Sequence, residues 1–135
     1  MEINKFLDFL PTNFRHEKSF FIQNNLTDFE KLSNLSDSDI NDIQRKSQLC
    51  KLNNLKKIRT IAIFKKEISI SPPEAYLLLH CGIGSVKSLS QSTPYELEVK
   101  IGRLERILRV KTETVITFAL LKKWIERAKQ IYQSI

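Results

Sequence analysis

The sequence predicts an all-α fold, and three observations predict it. Three glycines and four prolines among 135 residues leave little material for the tight turns of a sandwich or barrel. Apolar residues recur every three or four positions, the period of one helix face. The chain also repeats itself. Displaced by 57 residues, FFIQNNLTDFEKLSNLSDSDI (20–40) falls on LLLHCGIGSVKSLSQSTPYEL (77–97) without a gap, and TIAIFKKEI (60–68) falls on TFALLKKWI (117–125). Two copies are too few for a solenoid, so the expected architecture is a single domain, 1–135, in which pseudo-symmetric repeats, about 13–68 and 70–125, share one core.

Each element follows from local signals. A first helix, 2–10, precedes the repeats and stops at Pro11. The next helix, 16–24 in one copy and 73–81 in the other, ends at a residue tolerant of positive φ, Asn25 or Gly82. One-turn helices are expected at 28–33 and 85–90. Capped helices then start at Asp37 and Pro94, because Ser36-x-x-Asp39 and Thr93-x-x-Glu96 each place an acid three residues after a hydroxyl. Pro94 suits a first turn, where its missing N–H is not needed. Long amphipathic helices close the copies at 52–67 and 113–132. In the second, Val115, Ile116, Ala119, Leu120, Ile125, Ala128 and Tyr132 trace one apolar face, with Trp124 near it as a core or docking residue.

The repeat also constrains CGIGSVKSL, 81–89. Gly82 aligns with Asn25, so a left-handed helix cap accounts for it. Gly84 aligns with Thr27, so close backbone approach to a ligand is not a shared requirement. Gly82-Ile83-Gly84 remains open as a phosphate cradle only through the backbone amides of the helix that follows.

Charge is the main functional signal. The net charge is +7. From 45 to 66 there are eight cations and no acid: Arg45, Lys46, Lys51, Lys56, Lys57, Arg59, Lys65 and Lys66. A second group, Lys100, Arg103, Arg106, Arg109 and Lys111, includes only Glu105. Such stripes bind polyanions by neutralising phosphates and releasing counterions, or they are solvated helix faces. No helix offers an Asn/Arg/Gln set suited to base edges, so nucleic-acid binding through these cations is expected to tolerate sequence.

Other classes find little support. Cys50, Cys81, His16 and His80 are too scattered for a metal site, and two cysteines make no disulfide framework. No phosphate-binding loop, nucleophile elbow or HExxH occurs, and Asp28, Asp37, Asp39, Asp42 and Glu96 read as helix-start residues. The protein is therefore expected to be no enzyme and to need no cofactor. The longest apolar run is far short of the ~20 residues that span a bilayer, and the first residues lack a signal-peptide layout, which points to the cytoplasm.

The stretch IRTIAIFKKEISISPPEAYLLLHCGIGSVKSLSQSTPYELEVKI and the terminal LLKKWIERAKQI resemble the bacterial helical family catalogued as domain of unknown function 4332. That resemblance implies helix-hairpin-helix-like repeats, akin to SAM-like bundles. Gly82-Ile83 and Ser85-Val86-Lys87-Ser88-Leu89 match the Gly-aliphatic end and the short helix of the family pattern. Its hairpin glycines fall on Ser69 and Ser71, around the apolar Ile70, and the first repeat has Thr12 and Phe14 there. Serine reaches positive φ less readily and crowds a close ligand. The same GI..V..L element is similar, more distantly, to the C-terminal domain of the RNA polymerase α subunit. Two functions follow as expectations: a nucleic-acid-binding module, and a protein-interaction adaptor with degenerate hairpins.

Overall fold

A computed structural model describes residues 5–108 and 115–133. These are helical apart from short connections, with no strand among the described residues. The helices are α1 (Lys5–Asp8), α2 (Arg15–Gln23), α3 (Phe29–Ser33), α4 (Asp37–Lys46), α5 (Leu52–Ile68), α6 (Pro72–His80), α7 (Val86–Ser90), α8 (Pro94–Leu108) and α9 (Phe118–Gln133). A 3-10 turn, Thr12–Phe14, joins α1 to α2. The chain divides into two compact units, Met1–Lys66 and Glu67–Ile135, with the boundary inside the last turn of α5. No helix among the described residues is long and apolar enough to cross a membrane.

Element boundaries recur at the 57-residue spacing. Adding 57 to the bounds of α2 and α3 gives those of α6 and α7, and the start of α4 gives that of α8. The caps recur as well. Leu26 N donates to Phe21 O (2.8 Å) and Asn25 N to Ile22 O (3.3 Å). Their equivalents are Ile83 N to Leu78 O and Gly82 N to Leu79 O, both 3.0 Å. This pair of bonds is a Schellman cap, which needs a left-handed residue after the helix. Asn25 has φ 58° and Gly82 has φ 86°.

In unit 1 the core gathers Phe14, Phe21, Leu32, Ile40, Leu55, Ile58, Ile61 and Phe64. Leu55, Ile58, Ile61, Ala62, Phe64 and Ile68 form the buried side of α5, and most of its polar residues are spread over the remaining side. In unit 2, α9 packs against α7 and α8, and α6 packs against α8. Leu77, Leu78, Leu89, Leu97, Ile101, Leu121, Trp124, Ile125 and Ala128 form its buried apolar set. Trp124 is thus a core residue.

Three expectations are corrected. The N-terminal helix ends at Asp8 rather than Leu10, and Pro11 opens the 3-10 turn by accepting Phe14 N at 2.9 Å; residues 2–4 lie outside the described part. α9 begins at Phe118, not at 113, which itself lies outside the described residues. Thr117 Oγ1 accepts from Leu120 N at 3.1 Å and caps the helix, so Val115 stays outside it and 83% exposed. The buried face of α9 is accordingly Leu121, Trp124, Ile125 and Ala128, spaced i, i+3, i+4, i+7, while Ala119 and Tyr132 are exposed. Serine at 69 proves no obstacle to a left-handed turn: Ser69 adopts φ 63° between α5 and α6.

Candidate nucleic-acid interface

The hairpin region is the first place to look for an anion site. Ser69 takes the conformation a hairpin glycine would take, but Ser71 is extended (φ −67°, ψ 154°) and precedes Pro72 and Pro73, which bring no N–H groups. At Gly82-Ile83-Gly84 the first two amides are already engaged, by Leu79 O and Leu78 O, and the start of the helix that follows is capped from within. Ser88 N donates to Ser85 Oγ (3.0 Å) and Ser85 N to Ser88 Oγ (3.1 Å), a capping box at the start of α7. An added Cβ at Gly82 or Gly84 meets nothing within 4 Å, so neither glycine is kept small by packing. Gly82 is explained by its φ alone. The capping box was legible as Ser-x-x-Ser, a weaker form of the hydroxyl-x-x-acid signal.

The first basic cluster separates into two groups. Arg59 is only 19% exposed along its side chain; it donates to Asp37 Oδ1 at 2.9 Å and to Leu35 O at 3.1 Å. It ties α5 to the start of α4. Lys65 lies 5.1 Å from the centre of the Phe29 ring, and Lys66 Nζ reaches Asn34 Oδ1 at 3.4 Å. All three reach the α3–α4 segment from α5, but of them only Arg59 is mostly buried and ion-paired. Arg45 pairs with Asp42 at 3.4 Å on the surface of α4. Lys46, Lys51, Lys56 and Lys57 remain, all exposed, with no salt bridge from their ammonium groups among the described residues. They lie at the end of α4, at the residue before α5 and in the first turns of α5, the corner where α4 gives way to α5.

That corner is built around a buried acid. Glu17, on α2, is 1% exposed. Its carboxylate accepts from Lys51 N (2.8 Å) and from Asn54 Nδ2 (3.1 Å). A carboxylate set against the first amides of a helix satisfies donors that have no partner within it. The backbone of Lys51 is thereby held while its ammonium faces solvent. Cys50, fully buried beside it, donates to His16 O at 3.7 Å, and burial pushes its thiol pKa up. Burial raises the Cys81 thiol too, partly offset by Lys100. Both thiols are free, and burial favours their protonated form, which is the weaker nucleophile. No group of three His, Cys, Asp or Glu side chains is placed to hold a metal among the described residues.

In the second cluster, Lys100, Arg103 and Arg106 are exposed on α8 with no salt-bridge partner among the described residues. Arg109 and Lys111 lie outside the described residues. The cations of α8 have companions that charge counting missed. Tyr95 is 70% exposed, Ile107 73% and Val99 40%. Tyr95, Val99, Arg103 and Ile107 recur every four residues, a second row on the helix beside the buried Leu97 and Ile101. That spacing is readable in the sequence; only the packing tells which row faces solvent.

In unit 1 a shallow groove of about 410 Å³ opens between α2 and α4. Phe20, Leu26, Leu35 and Ile43 line it, with Asp39, Asp42 and Lys46 from α4 along it. Asp39 accepts from Ser36 N (2.9 Å) while Ser36 Oγ accepts from Asp39 N (3.0 Å), and these bonds hold the Asp39 carboxyl below the usual range.

No curated protein and no solved structure matches the chain. One family pattern does, and it runs from the 3-10 turn before α2 to the last turns of α9, over residues 11–131. With nearly the whole chain inside that match, and with the Gly82-Ile83 cap and the short helix α7 where the resemblance placed them, the protein belongs to the family described as Domain of unknown function (DUF4332).

Proposed function

We propose that this protein is a non-enzymatic helical binding module that contacts nucleic acid through phosphates, without reading sequence. The observation that carries the proposal is the corner between α4 and α5, where the ammonium groups of Lys46, Lys51, Lys56 and Lys57 stand exposed with no salt bridge among the described residues. A surface cation already paired with a carboxylate must give up that partner to take a phosphate; these four do not. Arg59 is set aside from the phosphate set, because its ion pair with Asp37 serves the fold, while Lys65 and Lys66, which have no carboxylate partner among the described residues, stay in it as secondary contacts. Lys100, Arg103 and Arg106 offer a further cationic stripe. The proposed setting is the cytoplasm, where Cys50 and Cys81 stay reduced.

The test is a titration of labelled duplex and single-stranded nucleic acid at two salt concentrations, with wild type and Lys56→Glu/Lys57→Glu. Each duplex phosphate contact contributes a log–log salt slope of about −0.9. The expected result is weak binding that tightens with falling salt, a slope shallower by about two contacts in the variant, and little dependence on nucleotide sequence. No binding at low salt, or binding indifferent to the reversal, rejects the reading. Arg59 is left in place, since reversing it would break a fold contact and confuse the result.

The second reading, a protein-interaction adaptor, is favoured by one observation: the exposed Tyr95, Val99 and Ile107 on α8, which a phosphate backbone does not use.

A further inference from the structure

We propose that Leu49 is a wedge that enters an opened base step of a bound duplex, so that the lysine corner selects nucleic acid that is already kinked or locally unpaired. The proposal rests on the phosphate-binding reading above and names the class of substrate which that corner takes. Between α4 and α5 the chain makes a tight turn, in which Cys50 N donates to Ser47 O at 3.0 Å. Both sides of the turn are anchored. Ser47 N donates to Ile43 O at 2.9 Å, Cys50 is fully buried, and Lys51 N donates to the buried Glu17 carboxylate at 2.8 Å. Gln48 and Leu49 are left at the tip, and Leu49 is 65% exposed. An exposed leucine by itself says little; its surroundings give it meaning. Lys46 stands three residues before it and Lys51 two after, with Lys56 and Lys57 in the first turns of α5, and none of their ammonium groups makes a salt bridge among the described residues. No acid occurs between Asp42 and Glu67. Asp42, which borders this stretch, pairs with Arg45, and Glu17, which meets it from α2, is held by Lys51 N and Asn54.

The turn belongs to the first repeat alone. The equivalents of 47–51 are 104–108, which run on as helix to the end of α8, whereas α4 stops at Lys46. The first copy thus breaks its helix where the break sets a leucine between lysines. Size decides which polyanion fits. Proteins that kink a duplex insert apolar side chains, leucine among them, between neighbouring base pairs, while surrounding cations hold the phosphates. Unstacking the step opposes entry, and a step that is already open removes that opposition. A lipid bilayer is the other anionic surface that suits cations around a leucine. A whole myristoyl chain holds a protein there only marginally, and one leucine side chain buries far less. One leucine is enough for one base step and too little for a membrane.

The experiment compares two labelled DNA duplexes of the same sequence, one fully paired and one bulged by a single unpaired nucleotide, at two salt concentrations. It uses wild type, Leu49→Ser, Leu49→Phe and Lys56→Glu/Lys57→Glu, with circular dichroism to check that each folds. Wild type is expected to bind the bulged duplex roughly tenfold more tightly than the paired one. Leu49→Ser should lose that preference and keep the salt slope, since the lysines are untouched. Leu49→Phe should keep the preference, because phenylalanine is also a wedge. Lys56→Glu/Lys57→Glu should weaken binding to both duplexes and flatten the slope, with the preference retained. A fluorescent adenine analogue beside the unpaired nucleotide should brighten as it unstacks against wild type, and less against Leu49→Ser. Wild type that holds both duplexes equally, with its lysine-dependent salt slope intact, overturns the wedge and leaves the phosphate reading standing. So does a Leu49→Ser variant that retains the preference. Absence of binding to either duplex overturns both readings. Binding to vesicles of phosphatidylcholine and phosphatidylserine that is lost in Leu49→Ser, with no preference between the duplexes, assigns Leu49 to a membrane and overturns the wedge.

Discussion

Among the described residues three sit at positive φ, and each answers it differently. Gly82 (φ 86°) needs no side chain, Asn25 (φ 58°) tolerates the left-handed region, and Ser69 (φ 63°) bears the strain. Gly82→Ala is therefore expected to destabilise by roughly 1 kcal/mol and Gly82→Asn by less, measured by urea unfolding. Equal losses for the two would contradict the cap. Gly84→Ser should leave stability unchanged, since its Cβ would meet nothing within 4 Å. Ser69→Gly should stabilise by about 0.5–1 kcal/mol by relieving the left-handed strain. The two thiols add a pH dependence. Their folded pKa values are raised above 9.0, so their contribution is complete below that pH and is lost as pH rises through the folded values. Cys50→Ala and Cys81→Ala should each lose less stability than wild type on going from pH 8 to pH 10. At neutral pH a thiol reagent should label half-buried Cys81 faster than buried Cys50.

At the scale of elements, α5 organises unit 1, and its polar contacts fix where α2 and α4 meet it. Glu17 closes the N-terminus of α5 from α2, while Arg59 holds the start of α4. Glu17→Ala leaves Lys51 N and Asn54 without their acceptor at a buried site, and is expected to cost about 2–3 kcal/mol. A loss below about 0.5 kcal/mol in chemical denaturation would remove Glu17 from this role. Ser36→Ala opens the capping box of α4 and should cost about 1 kcal/mol. The pairing of Asp39 with Ser36 also sets a sign. A carboxyl held below its ordinary range contributes stability above that range, lost as pH falls through the folded pKa, so Ser36→Ala should flatten the acid limb of the stability curve.

At the scale of the whole molecule, two compact units are joined by a helix that runs unbroken across their boundary. We propose that they unfold together as one domain built from two repeats. Calorimetry should then show a single transition whose calorimetric and van't Hoff enthalpies agree; two resolved transitions would mean two domains. The all-helical class, the starts of α4 and α8, the short helices α3 and α7 and the left-handed caps were all legible in the sequence. Each is decided within a few residues by a hydroxyl, a proline, a glycine or an apolar period, and the repeat doubled every such signal. The start of α9 was not legible, because Val115 and Ile116 continue the apolar pattern and only the Thr117 cap and the packing of Trp124 decide where helix begins. The charge clusters were visible as composition, but a cation's availability depends on what the fold brings beside it. Arg59 and Lys57 stand two residues apart in one acid-free run. Tertiary packing alone sends Arg59 to Asp37, 22 positions back along the chain, and leaves Lys57 in solvent, because which side of α5 is covered is settled by residues distant in sequence.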